Sequence, residues 1–168
     1  NVIDVAEYYG GDELKSATEV RYVQLKHSTQ RVDVAVAPSE LSRTINEYTK
    51  KYAAIFDDDQ TLTTKVWFEF LTNRPIHAGI RKALTAVVAG SPWNADKNTR
   101  KLRSYAKRLS NQQARAFYAR LRLTGDQPNL WFEERGLGQD AMAFLPGGGG
   151  LASVALEHLI AITASDRR

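Results

Sequence analysis

Alternation of apolar and polar residues predicts a β-hairpin at the start of the chain. Residues 2–9 are rich in β-branched and aromatic side chains, residues 10–12 interrupt the pattern with two glycines and an aspartate, and residues 19–25 resume it. Residues 31–36 are a candidate short third strand. The first part of the chain is therefore expected to contribute antiparallel strands to a sheet.

Two helices and a buried strand are predicted to follow. A proline-containing start at residues 38–40 leads into apolar residues spaced three and four apart, and three adjacent aspartates at 57–59 end this helix in a solvated turn. Residues 65–72 are almost continuously apolar, which predicts a strand covered on both faces. Residues 73–75 predict the entry to a second helix that ends at Gly90. Hairpin, helix, buried strand and helix form the order of an α/β core.

Charge is distributed unevenly along the chain, although its net value is only +4. Residues 97–122 carry nine basic side chains and no acidic one, while the rest of the chain has 14 basic and 19 acidic residues. This separation predicts a positive surface for a polyanion, with a solvated helix face as the alternative. The stretch is expected to begin as a helix with its basic side chains outward and to end in a strand over residues 117–123. The residues predicted to contact DNA phosphates are Arg100, Lys101, Arg103, Lys107 and Arg108.

Composition limits the class of protein. A chain of 168 residues that is 43% hydrophobic and 25% charged is typical of one globular domain. The absence of cysteine excludes disulfides, zinc–thiolate clusters and thiol nucleophiles. Without cysteine nothing argues for an oxidising compartment, so a cytoplasmic protein is expected. No apolar run approaches the roughly 18 residues that span a bilayer, so no membrane partner is expected. Residues 147–150 are four glycines, and residues 151–168 predict a helix leading towards a further domain.

The hairpin register predicts a polar cluster. Pairing the apolar residues of the two strands places Asp4 opposite Gln24, on the face that also carries Lys26. A carboxylate beside a second oxygen ligand suits Mg²⁺, which also takes water and phosphate oxygens, and a neighbouring lysine offsets negative charge in a phosphoryl transition state. These are the parts of a phosphodiester-hydrolysing site. An ordinary ion pair across the surface of the hairpin is the alternative.

Two segments resemble the PD-(D/E)xK nuclease superfamily, in which an aspartate on one hairpin strand precedes Glu-x-Lys or Gln-x-Lys on the next. They are Tyr-Val-Gln-Leu-Lys-His-Ser at residues 22–28 and Trp-Phe-Glu-Phe-Leu-Thr-Asn-Arg-Pro at residues 67–75. More narrowly, residues 1–90 are similar to the double-stranded DNA endonuclease domain of CBASS-type bacterial antiphage effectors. The resemblance implies that Asp4 and Gln24 hold Mg²⁺ or Mn²⁺ and that Lys26 is the catalytic lysine.

The resemblance also implies a fold and a function. The expected fold is a restriction-endonuclease-like α/β core with added C-terminal helices, over a single domain of residues 1–168. The expected function is Mg²⁺-dependent cleavage of double-stranded DNA with little sequence preference. The domain would be the N-terminal effector module of a larger antiphage defence protein, working as an oligomer or within a multidomain complex. Gln24 in place of Glu leaves one negative charge fewer on the metal, and the chain begins too late to include the carboxylate that the superfamily usually adds from a preceding helix. A non-catalytic nucleic-acid-binding module and an assembly scaffold are the alternatives.

Overall fold

The computed structural model describes residues 3–126, which form a mixed four-stranded sheet with four α-helices. The strands lie in the order β1-β2-β3-β4, with β1 antiparallel to β2 and the remaining neighbours parallel. The elements are β1 (Val5–Tyr9), β2 (Glu19–Lys26), α1 (Ser42–Asp58), β3 (Val66–Thr72), α2 (Ala78–Val88), α3 (Lys97–Tyr105), α4 (Asn111–Tyr118) and β4 (Leu121–Thr124). The predicted α/β class is therefore confirmed.

The hairpin has the predicted register, with Val5 paired to Val23. Its two faces are buried to different extents. On one face Val23 is buried but Val5 and Leu25 are 40% and 55% exposed, whereas Tyr22 on the opposite face is buried and stacks on Phe68 with ring centroids 5.7 Å apart. Helix α1 covers the Tyr22 face. The candidate site residues of β2 share this helix-covered face, because side chains alternate along a strand.

The predicted third strand at residues 31–36 is wrong, because only Val36 forms an isolated parallel bridge, to Ile76. The physical reason lies in Arg74, whose guanidinium group donates to the backbone carbonyls of Val34 and Ala35. The Arg74 side chain, rather than a neighbouring strand, thus supplies the hydrogen-bond donors for these two carbonyls. The segment between β2 and α1 is consequently a loop held by side-chain hydrogen bonds.

Strand β3 lies between β2 and β4, but its two faces are not equally covered, contrary to the prediction. Phe68 and Phe70 are fully buried, with Tyr48 of α1 against Phe68 at 5.1 Å between ring centroids. On the other face the ring of Trp67 lies 4.8 Å from the Arg120 guanidinium and 4.0 Å from that of Arg122. Arginine stems cover apolar surface while the charged group stays in water, so this face is half-buried.

Helix α1 follows the predicted apolar stripe. A single 3-10 turn (Pro38–Leu41) precedes it, and the residues of the stripe are buried: Leu41, Ile45, Tyr48, Tyr52 and Ile55. The helix ends at Asp58. Asp59 then caps a second 3-10 turn (Gln60–Lys65) by accepting a hydrogen bond from the Thr61 backbone amide at 2.8 Å, so this aspartate has a structural role.

The predicted strand over residues 117–123 is corrected at its start. Phe117 and Tyr118 belong to α4, which begins with a capping box between Ser110 and Gln113 and buries both aromatic side chains. Strand β4 begins only at Leu121. Within residues 3–126, no helix has both the length and the apolar character needed to cross a membrane. The four glycines at residues 147–150 and the predicted helix over residues 151–168 lie outside the described residues.

Candidate active site

The carboxyl ends of β2, β3 and β4 lie at the same edge of the sheet, because these strands are parallel. Lys26 is the last residue of β2 and pairs with Thr72, the last residue of β3. In open α/β sheets, ligands bind outside the carboxyl ends of the strands. Lys26 is therefore placed where this fold class binds ligands.

Asp4 lies just before β1, with its side chain folded onto β2. Its backbone amide donates to the Val23 carbonyl at 3.0 Å, and its Oδ2 atom accepts a hydrogen bond from the Leu25 amide at 2.8 Å. The ladder ends at the Val5–Val23 pair, so Asp4 does not form the regular strand pair with Gln24 that the sequence predicted. The carboxylate nevertheless lies beside the segment that carries Gln24 and Lys26. Within residues 3–126, its Oδ1 atom accepts no hydrogen bond.

Gln24 is half-buried beneath α1, and its Oε1 atom accepts a hydrogen bond from the Thr44 hydroxyl. One turn further along α1, the Tyr48 hydroxyl donates to the Glu69 carbonyl at 2.6 Å. Burial raises the pKa of Tyr48, and the negative charge of Asp4 raises it further. Tyr48 is thus a neutral, structural hydrogen-bond donor next to the candidate site rather than a base.

Lys26 shares the α1 side of the sheet with Gln24, since their partners on β3 are the buried residues Thr72 and Phe70. At the end of the strand, however, Lys26 is exposed, and it forms no hydrogen bond or ion pair with any part of the chain that the structure describes. Its ammonium group is therefore available to an external anion.

The chemistry of Asp4 and Gln24 fits a hard cation. Both offer oxygen atoms, and Mg²⁺ is commonly held by one or two carboxylates with water and phosphate oxygens as its other ligands. Residues 3–126 contain no group of three or more His, Cys, Asp or Glu side chains arranged to bind a metal. Asp4 and Gln24 are thus the two oxygen donors that would hold such an ion, with water or phosphate oxygens as its other ligands.

Asn73, which the sequence pattern predicted only as part of a helix entry, binds the backbone of Ser28. Its Oδ1 atom accepts from the Ser28 amide at 2.9 Å, and its Nδ2 atom donates to the Ser28 carbonyl at 2.8 Å. This pair joins the chain just after Lys26 to the chain just after Thr72. The sequence feature that could have identified this role is the position of Asn73 within the Thr-Asn-Arg-Pro segment.

Arg74 fixes the other end of the same loop. It is 4% exposed, and its guanidinium group donates to the Val34 carbonyl at 2.8 Å, the Ala35 carbonyl at 3.2 Å and the Glu40 carboxylate at 2.8 Å. The hydrogen bonds from Arg74, and next that from the Ala37 amide, lower the pKa of Glu40 to about 2. Loop 27–37 is thus fixed at both ends by residues 73 and 74.

The predicted DNA-binding residues divide into two groups. We use the name basic surface for four exposed residues on and after α3: Arg100, Lys101, Lys107 and Arg108. Arg103, which was predicted on the outer face, is half-buried, and its guanidinium group binds acceptors within the fold. It donates to Asn111 Oδ1 at 2.8 Å and to the Ala106 and Leu109 carbonyls at 3.0 and 3.1 Å. This arginine thus binds the Ala106 and Leu109 carbonyls of the turn that follows α3, in addition to the hydrogen bond that Ala106 accepts from the Leu109 amide.

Other arginines of the basic stretch also act within the fold. Arg115 donates to the carbonyls of Val87 and Ser91, and Arg122 forms an ion pair with Glu69 at 2.8 Å. A count of basic residues in the sequence therefore overstates the charge that is available to a ligand. The four residues of the basic surface are the predicted DNA-binding side chains that are exposed on and next to α3.

A hydrogen bond connects α3 to the start of α1. The Tyr105 hydroxyl donates to the Pro38 carbonyl at 3.0 Å, in the 3-10 turn that leads into α1. Thr44, which contacts Gln24, lies in the first turn of that helix. The helix that carries Arg100 and Lys101 is thus packed against the element that supports the candidate site.

No protein-family model matches the chain, and no curated protein matches it. The fold places the chain among α/β proteins with a mixed sheet. Any more specific assignment depends on the geometry and chemistry of the site.

Proposed function

We propose that this chain is a Mg²⁺-dependent endonuclease domain that cleaves double-stranded DNA with little sequence preference. The observation that carries the proposal is the hydrogen bond from the Leu25 amide to Asp4, which holds a carboxylate beside the Gln24-Leu25-Lys26 strand end. A carboxylate, an amide oxygen and an exposed ammonium group meet the chemical needs of phosphodiester hydrolysis. The restriction-endonuclease-like architecture, Mn²⁺ as a substitute metal and a role as an antiphage defence effector in the cytoplasm belong to the same proposal.

The order of the elements supports this proposal. An antiparallel hairpin carries the aspartate and the Gln-x-Lys segment, a helix crosses over, and the next strand runs parallel to the lysine strand. This is the arrangement that the resemblance to PD-(D/E)xK nucleases implies. Fold alone does not define function, so the proposal depends on the site that this topology creates.

Each site residue has a role that follows from its contacts. Asp4 and Gln24 are the oxygen donors that would hold Mg²⁺, which supplies Lewis-acid catalysis when it is bound. Hydrogen bonds from the Leu25 amide to Asp4 and from the Thr44 hydroxyl to Gln24 orient these two oxygen donors before any ligand binds. The Lys26 ammonium group would contact the phosphate oxygens and stabilise the negative charge that grows on them during hydrolysis.

The basic surface supports a DNA substrate. Exposed lysine and arginine side chains bind phosphates without reading base edges, and such contacts supply affinity with little sequence preference. Helix α3, which carries two residues of the basic surface, is joined to the 3-10 turn before α1 by the hydrogen bond from Tyr105 to Pro38. Duplex DNA that crosses this surface would bring phosphates towards the carboxyl end of β2.

One observation favours a second candidate, a nucleic-acid-binding module without catalytic activity. Asp4 is the single carboxylate of the candidate cluster within residues 3–126, and Gln24 adds no negative charge to it. A basic surface next to a very weak metal site would still bind DNA. This candidate predicts binding that Mg²⁺ does not convert into cleavage.

Plasmid cleavage with parallel binding measurements separates the candidates. The nuclease proposal predicts that the purified chain nicks or linearises supercoiled DNA in Mg²⁺ and loses this activity in EDTA. Binding without cleavage at any Mg²⁺ or Mn²⁺ concentration contradicts the nuclease proposal and supports the binding module. If the chain neither binds nor cuts DNA, both candidates are wrong.

A further inference from the structure

Lys26 is the last residue of the β2–β3 ladder, a place where strands tend to fray. Its partner Thr72 is likewise the last residue of β3, so the regular ladder provides no further rung. Terminal segments with few hydrogen bonds open locally at low free-energy cost. A lysine that must present its ammonium group at a fixed point therefore needs support beyond the ladder.

Asn73 supplies that support through its side chain. Its amide group exchanges two hydrogen bonds with the Ser28 backbone, at 2.9 Å and 2.8 Å, and so reproduces a strand rung two residues after Lys26. On the other side of Lys26, the Leu25 amide donates to Asp4 at 2.8 Å. The backbone on both sides of Lys26 is thus fixed by acceptor atoms of side chains.

Arg74, the next residue, has a different, structural role. Its buried guanidinium group is part of the core of the loop and pairs with Glu40, so its loss would disturb the fold. The hydrogen bonds of the Asn73 side chain, by contrast, go only to Ser28 within the described residues. A substitution at residue 73 is therefore expected to act on one short segment of the chain.

We infer that Asn73 is a positioning residue for Lys26, which it holds at the carboxyl end of the sheet by binding the Ser28 backbone. The inference rests on the proposed nuclease function. Displacement of a catalytic group by about 1 Å can lower a rate by roughly 100-fold. A positioning residue affects the chemical step, whereas the basic surface determines the affinity for DNA.

The test compares Asn73→Ala and Asn73→Asp with Asn94→Ala, a control at an exposed loop asparagine. We expect Asn73→Ala to lower the single-turnover cleavage rate by roughly 10- to 100-fold at unchanged DNA affinity and midpoint of unfolding. Asn73→Asp keeps an acceptor for the Ser28 amide and should retain more activity than Asn73→Ala. Asn94→Ala should cleave as the wild type does. Full activity of Asn73→Ala, or a loss explained wholly by weaker DNA binding, overturns the inference.

A second measurement separates this inference from the proposed function. Hydrogen exchange of the Ser28 amide should accelerate at least tenfold in Asn73→Ala, while amides in α1 stay protected. The order of the Lys26 side chain, measured by ¹³C relaxation at Cε, should fall in parallel. If the wild type does not cleave DNA, the proposed function fails, and these two measurements alone decide whether Asn73 holds Lys26. Unchanged exchange and unchanged Lys26 order overturn the inference.

Discussion

The Asp4 carboxylate accepts a hydrogen bond from the Leu25 backbone amide, with 2.8 Å between Oδ2 and N. The regular β1–β2 pairing ends at Val5 and Val23, and beyond it this hydrogen bond takes the place of a backbone hydrogen bond between the strands. It places the carboxylate beside the residues Gln24 and Lys26. Asp4 therefore has two separable features, a hydrogen-bond acceptor and a negative charge. Substitutions that remove one or both can distinguish a structural role from a metal-binding one.

Asp4→Asn is expected to abolish Mg²⁺-dependent cleavage while the protein stays nearly as stable as the wild type. The asparagine side chain keeps an acceptor for the Leu25 amide but loses the charge that holds a cation. Asp4→Ala removes both features and should lower the free energy of unfolding by about 1 kcal/mol more. Urea unfolding and plasmid cleavage measure the two effects. Full Mg²⁺-dependent activity of Asp4→Asn would exclude this carboxylate as a metal ligand.

Thr44→Val tests whether the orientation of Gln24 matters for the metal. Valine is similar in size but has no hydroxyl group to donate to Gln24 Oε1. We expect half-maximal cleavage to need several-fold more Mg²⁺, at unchanged DNA affinity in EDTA. The control is Thr49→Val, because Thr49 is also buried on α1 but bonds the Asn46 carbonyl of its own helix. If both variants have the same Mg²⁺ dependence as the wild type, the Thr44 contact does not contribute to the metal site.

The sequence predicted those parts of the fold that depend on regular patterns. Paired β-branched residues determined the Val5–Val23 register, and spacings of three and four determined the buried stripe of α1. Strand parity also placed Gln24 and Lys26 on one face. These features follow from local periodicity and require no knowledge of distant contacts.

The remaining features depend on long side chains that find partners far along the chain. Arg74 donates to the Val34 and Ala35 carbonyls, about 40 residues away in sequence. The segment that was predicted as a strand is therefore a loop. Arg103 turns back to the carbonyls that follow its own helix, so it is not available on the outer face. An arginine carries five N–H donors at the end of a long, flexible side chain. Sequence spacing does not show which acceptors those donors will bind.

Removal of charge from the basic surface should change the salt dependence of DNA binding. Each phosphate contact contributes a slope of roughly −0.9 in log affinity against log salt. We expect the triple substitution of Arg100, Lys107 and Arg108 by alanine to flatten this slope by about two to three units. Arg103→Ala should leave the slope nearly unchanged and lower the free energy of unfolding by about 1–3 kcal/mol, because it removes the hydrogen bonds to Asn111 and to the Ala106 and Leu109 carbonyls. The opposite outcome, a flattened slope for Arg103→Ala alone, would contradict this division of the arginines.

Acid should weaken the fold through Glu40. Its pKa in the folded chain is about 2, below the ordinary value of 4.5, so its contribution to stability is complete above about pH 4.5. That contribution is lost as the pH falls towards 2, because the carboxylate is then protonated. Glu40→Gln should remove this part of the pH dependence and lower stability at neutral pH by about 2 kcal/mol. Denaturant unfolding between pH 2 and 7 measures this pH dependence. Glu47→Gln is the surface control, and its free energy of unfolding is expected to differ little from that of the wild type. Parallel pH profiles for Glu40→Gln and the wild type would refute the assignment.

The most direct test of the account is cleavage of supercoiled DNA by purified Lys26→Ala in Mg²⁺, compared with Lys15→Ala. Lys15 is an exposed lysine in the turn at the other end of the hairpin, so this control removes the same charge away from the candidate site. We predict that Lys26→Ala loses cleavage but still binds DNA. Its free energy of unfolding should lie within about 1 kcal/mol of the wild-type value. We predict wild-type cleavage for Lys15→Ala. Full cleavage by a folded Lys26→Ala protein would contradict the proposed active site.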